Sequence, residues 1–140
     1  MKPAPWNYAL LLTGLIAWSM PHANPGIEQA TRDCVSSATT AMAIAVCETA
    51  AQKQWQARIR SNDQRLRSRL DGPTRELYLD AQKTWERYRD AEFEVIDATL
   101  GKRDDGLAQP LAQGAKTEML RERAEQQETL LRSIARHRKR

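Results

Sequence analysis

Histidine is nearly absent from this chain. Of 140 residues only His22 and His137 are histidine, one in a leader-like N-terminus and the other in a basic C-terminus, so His-based catalytic triads are excluded from any ordered position. Glycine is sparse, and its six copies form no phosphate-cradling loop. Cysteine is confined to Cys34 and Cys47, which lack metal-ligand spacing and partners. Carboxylate pairs such as Glu86 with Asp90, or Asp90 with Glu94, share a helix face with Lys and Arg, the pattern of a solvated surface rather than an acid–base pair. No enzymatic activity, metal or cofactor is expected. Long apolar runs are also missing: the longest, Tyr8 to Trp18, has eleven residues and is too short to span a bilayer. No stretch alternates as a strand would, β-branched residues are few, and there is no internal repeat.

What is present begins with a leader. Met1-Lys2, the apolar run and the small residues after it form a secretory signal peptide. Cleavage after Ala23 leaves residues 24–140 as one helical domain; Ala17-Trp18-Ser19 is the alternative cleavage point, and an uncleaved anchor the alternative reading of the segment. Neither cleavage point is followed by a cysteine, so lipoprotein anchoring is not expected, and the protein is expected to be periplasmic and soluble. Two cysteines in an exported chain point to one Cys34–Cys47 disulfide, the other reading being two buried thiols. Without Lys2 the chain keeps 21 basic and 18 acidic side chains. Five of the basic ones lie in the tail 132–140: Arg132, Arg136, Arg138, Lys139 and Arg140. Export points such a tail at anionic lipid, lipopolysaccharide or peptidoglycan and away from nucleic acid. The competing reading is a solvated helix end whose cations suit the helix dipole.

Ala, Arg, Gln, Glu and Leu dominate, all good helix formers. Asp71-Gly72-Pro73 breaks two helical stretches, and Gly101 to Pro110 is a second loop. Helices are therefore predicted over about Thr40–Leu70, Thr74–Leu100 and Leu111–Ala135, after a short one near Pro25–Cys34. Short connections favour antiparallel neighbours, which makes this an all-α, antiparallel up-down bundle. Thirteen steps of one straight helix would hold the cysteines roughly 20 Å apart, whereas a disulfide needs Cα atoms about 5.5 Å apart. The helix must break between them, with Thr39 or Thr40 as N-cap.

On a helical wheel centred on Trp85, Leu77, Tyr78, Ala81, Tyr88, Val95 and Ile96 fall within about 80°. This places Trp85 at the middle of a core stripe. Gln82, Arg89 and Glu92 fall on the same side, within about 60°. The longest helix repeats the pattern: Ile44, Ala51, Trp55, Ile59, Leu66 and Leu70 form a stripe that contains Glu48 and Asn62. A polar layer between helices would satisfy such groups, with Arg89 pairing with Glu92 and Gln82 bonding across to Asn62. The alternative is that the long side chains reach water at the stripe edges.

The segment Gln82-x-x-Trp85-x-x-Tyr88-Arg89-Asp90-Ala91-Glu92 resembles the Q-x-x-W-x-x-Y-R-D-A-E-C signature of the LprI-like lysozyme inhibitor family, small exported helical domains. The leader, the cysteine pair and the closing Arg/Leu-rich helix agree with it, over roughly residues 34 to 131. There are two departures. Phe93 stands where the family has a cysteine, and the later partner cysteine is missing too. Gln56, Ile59, Arg60 and Asp63 stand where the family tends to carry Asp, Leu, Asn and Tyr, and only the apolar position keeps its character. The resemblance implies a protein-binding inhibitor of a lysozyme-type muramidase, with Gln82, Trp85, Tyr88, Arg89 and Glu92 as scaffold. Muramidase clefts hold two catalytic carboxylates, so basic side chains are the candidate contacts: Arg60 and Arg65 on the long helix, Lys102 and Arg103 in the second loop. The alternative function is a non-enzymatic envelope module that binds an anionic component through its basic tail.

Overall fold

Two short polar side chains fix where the central helices begin. In the computed structural model, which describes residues 26–137, Thr40 Oγ1 accepts from the Ala43 N–H at 3.1 Å. Asp71 Oδ1 accepts from the Thr74 N–H at 2.9 Å, and Pro73 occupies the first turn, where its missing N–H is not needed. The described chain is all-α: α1 (Ile27–Ser37), α2 (Ala41–Arg69), α3 (Gly72–Thr99) and α4 (Ala108–His137). The leader, its cleavage point and Arg138–Arg140 lie outside the described residues.

Two boundaries differ from expectation. α1 runs on to Ser37, which narrows the break to residues 38–40. α4 starts at Ala108, so Pro110 lies inside its first turn rather than in the loop, a position where the backbone N–H would be unpaired anyway. The connection from α3 to α4 depends on two glycines. A Cβ at Gly101 would sit 2.5 Å from the Asp97 carbonyl oxygen, and Gly106 has φ 75°.

The core lies between α2 and α4, which run parallel. Gln52 Nε2 donates to the Gln113 carbonyl at 3.0 Å near their starts. Asn62 Nδ2 donates to the Ala124 carbonyl at 3.3 Å further along, and Leu66 packs with Leu131 near their ends. Side chains this short reach a neighbouring backbone only if the helices are close, and buried Ala45, Ala51, Ala112 and Ala124 permit that approach. Trp55, Ile59 and Leu120 fill the remaining space. The stripe read on α2 is confirmed: Ala51, Trp55, Ile59 and Leu66 are buried, and Asn62 is fully buried among them.

α3 returns antiparallel and touches the pair along a narrower line than the wheel suggested. Tyr78, Gln82 and Ile96 are its buried residues. Leu77, Tyr88 and Val95 are 73, 56 and 52% exposed, Ala81 is exposed as well, and Trp85 is only half-buried. The inward face is thus turned by about 40° from Trp85 toward Gln82 and Arg89. The exposed residues lie on one edge of the expected stripe and the buried ones on the other.

α1 folds back along α2. Cys34 and Cys47 are joined, with Cα atoms 5.8 Å apart. Ile27 reaches the main core cluster, and Arg121 of α4 pairs with Glu28 of α1 at 3.4 Å. Closing a loop of this length stabilises by about 3 kcal/mol through the unfolded chain. Replacing both cysteines by Ala should cost that amount in urea unfolding. In hydrogen exchange α1 should lose protection first. An unchanged midpoint with α1 still protected would show that Ile27 and Glu28 suffice to hold it.

Candidate functional site

The narrow seating of α3 leaves a cleft of about 530 Å³ between α2 and α3. Gln56, Ile59, Arg60 and Asp63 line it from α2, and Gln82, Trp85, Glu86, Arg89, Asp90 and Phe93 from α3. The three positions of α2 at which the chain departs from the family pattern, Gln56, Arg60 and Asp63, therefore face the α3 signature across one opening.

The cleft is polar with an aromatic floor. Trp85 is stacked by two guanidiniums, Arg89 at 5.3 Å and Arg123 of α4 at 5.2 Å from the ring centroid. Arg123 Nη2 donates to Gln82 Oε1 at 2.6 Å, while Gln82 Nε2 donates to Glu86 Oε1 at 3.0 Å. Both ends of the Gln82 amide are thereby satisfied, as a buried amide requires. Arg89 donates twice to Asp90 Oδ1, at 2.8 and 2.6 Å. Deeper in, Gln127 Nε2 donates to the Tyr78 hydroxyl at 3.0 Å. Burial pushes the Tyr78 phenol up to about 12, with the Asp63 charge adding to the rise. Burial also holds the Arg123 guanidinium below its usual value. Three buried polar atoms at this level have no protein partner: Asp63 Oδ1, Arg123 Nε and Gln127 Oε1.

A polar layer does bridge the helices, then, but its partners differ from those expected. Asn62 bonds to the α4 backbone rather than to Gln82. Arg89 pairs with Asp90, its sequence neighbour, and not with Glu92. Glu92 is half-buried beside Trp85 and Met119 on the α4 side of α3. Of the signature residues, Gln82 is buried at the base of the cleft, Trp85 and Arg89 line it, and Tyr88 is exposed.

The basic candidates are not brought together. Arg60 lines the cleft and is exposed. Arg65 donates to Asn62 Oδ1 at 3.4 Å. Lys102 and Arg103 stay in the α3–α4 connection, where Arg103 Nε donates to Asp105 Oδ2 at 3.0 Å. Arg123 and Gln127, which complete the layer, were not singled out from sequence. The signal was there: Lys116, Leu120, Arg123, Gln127 and Leu131 recur at helical spacing on α4.

These contacts rank two substitutions. Tyr78→Phe strands the Gln127 amide and should cost about 1–3 kcal/mol. Arg89→Ala removes a solvent-facing ion pair and one stacking contact and should cost about 1 kcal/mol or less. Urea unfolding measures both, and the reverse order would make Arg89 a structural residue. The raised phenol pKa has a further consequence. It exceeds the unfolded value of about 10, so its stabilisation is complete below pH 10 and declines as pH rises toward 12. That part of the alkaline loss should vanish in Tyr78→Phe.

The family model described as "Lysozyme inhibitor LprI" matches residues 33–127. No curated protein and no solved structure matches the chain. The matched span runs from the cysteine-bearing end of α1 to the middle of α4, and it includes both walls of the cleft. The chain belongs to the LprI lysozyme inhibitor family.

Proposed function

We propose that this protein is an exported, non-enzymatic inhibitor of a lysozyme-type muramidase that binds its target through the α2–α3 cleft. The observation that carries this reading is the position of Arg60. It is exposed at the cleft, and among the described residues no carboxylate pairs with it. Its guanidinium has the geometry for bidentate bonding to one of the two carboxylates of a muramidase site.

Charge supports the pairing more than the overall balance suggests. Residues 26–137 hold 18 basic and 18 acidic side chains, so the body repels neither sign. α3, however, carries Glu76, Asp80, Glu86, Asp90, Glu92, Glu94 and Asp97 against Arg75, Lys83, Arg87 and Arg89. α3 is therefore net acidic as a helix, which suits a basic enzyme surface, while Arg60 on α2 suits the acidic centre within it. Export is consistent with the leader and with the disulfide. Among the described residues no helix is long and apolar enough to cross a membrane.

The test is lysis of cell-wall substrate by lysozyme at graded inhibitor concentrations. The protein should slow lysis, and Arg60→Glu should raise the half-inhibitory concentration about tenfold or more, the effect of reversing a central interface charge. Its melting temperature should stay unchanged. Full lytic activity at saturating protein would remove the proposal. Equal inhibition by the Arg60→Glu variant would move the contact away from the cleft.

A further inference from the structure

Where α2 stops, α3 starts and α4 finishes, the bundle has a second opening that takes no part in the cleft. It is a groove of about 620 Å³ whose floor is Leu66, Leu70, Tyr78 and Ile134. Leu77 of α3 and Leu130 of α4 form its walls and are 73 and 47% exposed. Single exposed leucines are ordinary, but here two stand on either side of one apolar groove. The mouth differs in character. Arg69 ends α2 and His137, the last described residue of α4, lines the groove with it; Arg69 has no carboxylate partner among the described residues. Asp71, the one carboxylate in the lining, is turned to the Thr74 N–H as a helix cap.

Size and charge select the occupant. From Leu130 to His137 the groove follows α4 for about 10 Å. Two turns of helix offer far less than the roughly 800 Å² per partner that a stable protein interface needs. The volume falls instead within the range of small-molecule sites. An aliphatic slot with a cationic mouth is complementary to an alkyl chain with an anionic head. We propose that this groove binds a free fatty acid, with its alkyl chain between Leu77 and Leu130 and its carboxylate at Arg69. The site is separate from Arg60 and the α2–α3 cleft, so it stands or falls independently of muramidase inhibition.

Calorimetric titration of the full chain with laurate, octanoate and dodecyltrimethylammonium, each below its critical micelle concentration, tests this. Laurate should bind with one-to-one stoichiometry. Octanoate should bind more weakly by about tenfold or more, because each buried methylene contributes about a three- to fourfold gain. The cationic chain should bind at least about tenfold more weakly than laurate. Leu77→Glu with Leu130→Glu should abolish laurate binding; both side chains face water, so the melting temperature should hold. Arg69→Glu should weaken laurate about tenfold and serves as the second probe should the double variant fail to fold. Undiminished laurate binding in either variant, or equal binding of the cationic chain, would overturn the proposal. So would a dimer in sedimentation equilibrium that the double variant dissolves, since a second copy would then fill the groove.

Discussion

The close parallel contact of α2 with α4 is the constraint from which the rest of the structure follows. Alanines at the interface let the two backbones approach, and Asn62 and Gln52 then reach carbonyls of the facing helix. Side chains that short could not bridge a wider spacing, and a fully buried Asn62 without its partner would be destabilising. Since α2 and α4 point the same way, the chain must return between them, and α3 is that return. It is held to α4 by Tyr78 with Gln127, Gln82 with Arg123, and Asp97 with Lys116 at 2.6 Å. No comparable set of bonds ties it to α2. The cleft is the space that this unequal seating leaves.

The sequence made the helices legible because their punctuation is chemical. Thr40, Asp71 and Pro73 act as the cap and first-turn residues that their positions imply. The stripe on α2 was also legible, since a helix that buries one face against a close neighbour follows its apolar spacing. α3 was misjudged by about 40°, and the reason is physical. Centring the wheel on the largest aromatic assumes that size decides burial, yet α3 meets its neighbours through a line of Tyr78, Gln82 and Ile96. Trp85 is left at the edge, shielded by the guanidiniums of Arg89 and Arg123 instead of by apolar side chains. Periodicity also assigns a residue to a face without naming what it meets there. Asn62 belongs to a polar layer, as its place in the stripe implies, but it meets the α4 backbone there and not Gln82.

The departures from the family pattern acquire a location. Phe93, which takes the place of a cysteine, packs against the main core cluster, and the Lys116 ammonium lies 5.3 Å from its ring. Lys116 also pairs with Asp97, so a noncovalent link between α3 and α4 stands near the position of the lost covalent one. Gln56, Arg60 and Asp63 gather on one wall of the cleft, whereas Ile59, which keeps the apolar character of its position, also packs in the α2–α4 core.

Binding through the cleft between α2 and α3 can be read from hydrogen exchange on the protein alone and in complex with lysozyme, which reports the contact surface and not only the outcome. Exchange should slow over residues 56–63 and 82–93, the two walls of the cleft, with α1 unaffected. Protection confined to the α3–α4 connection, or to the groove of Leu77 and Leu130, would contradict it.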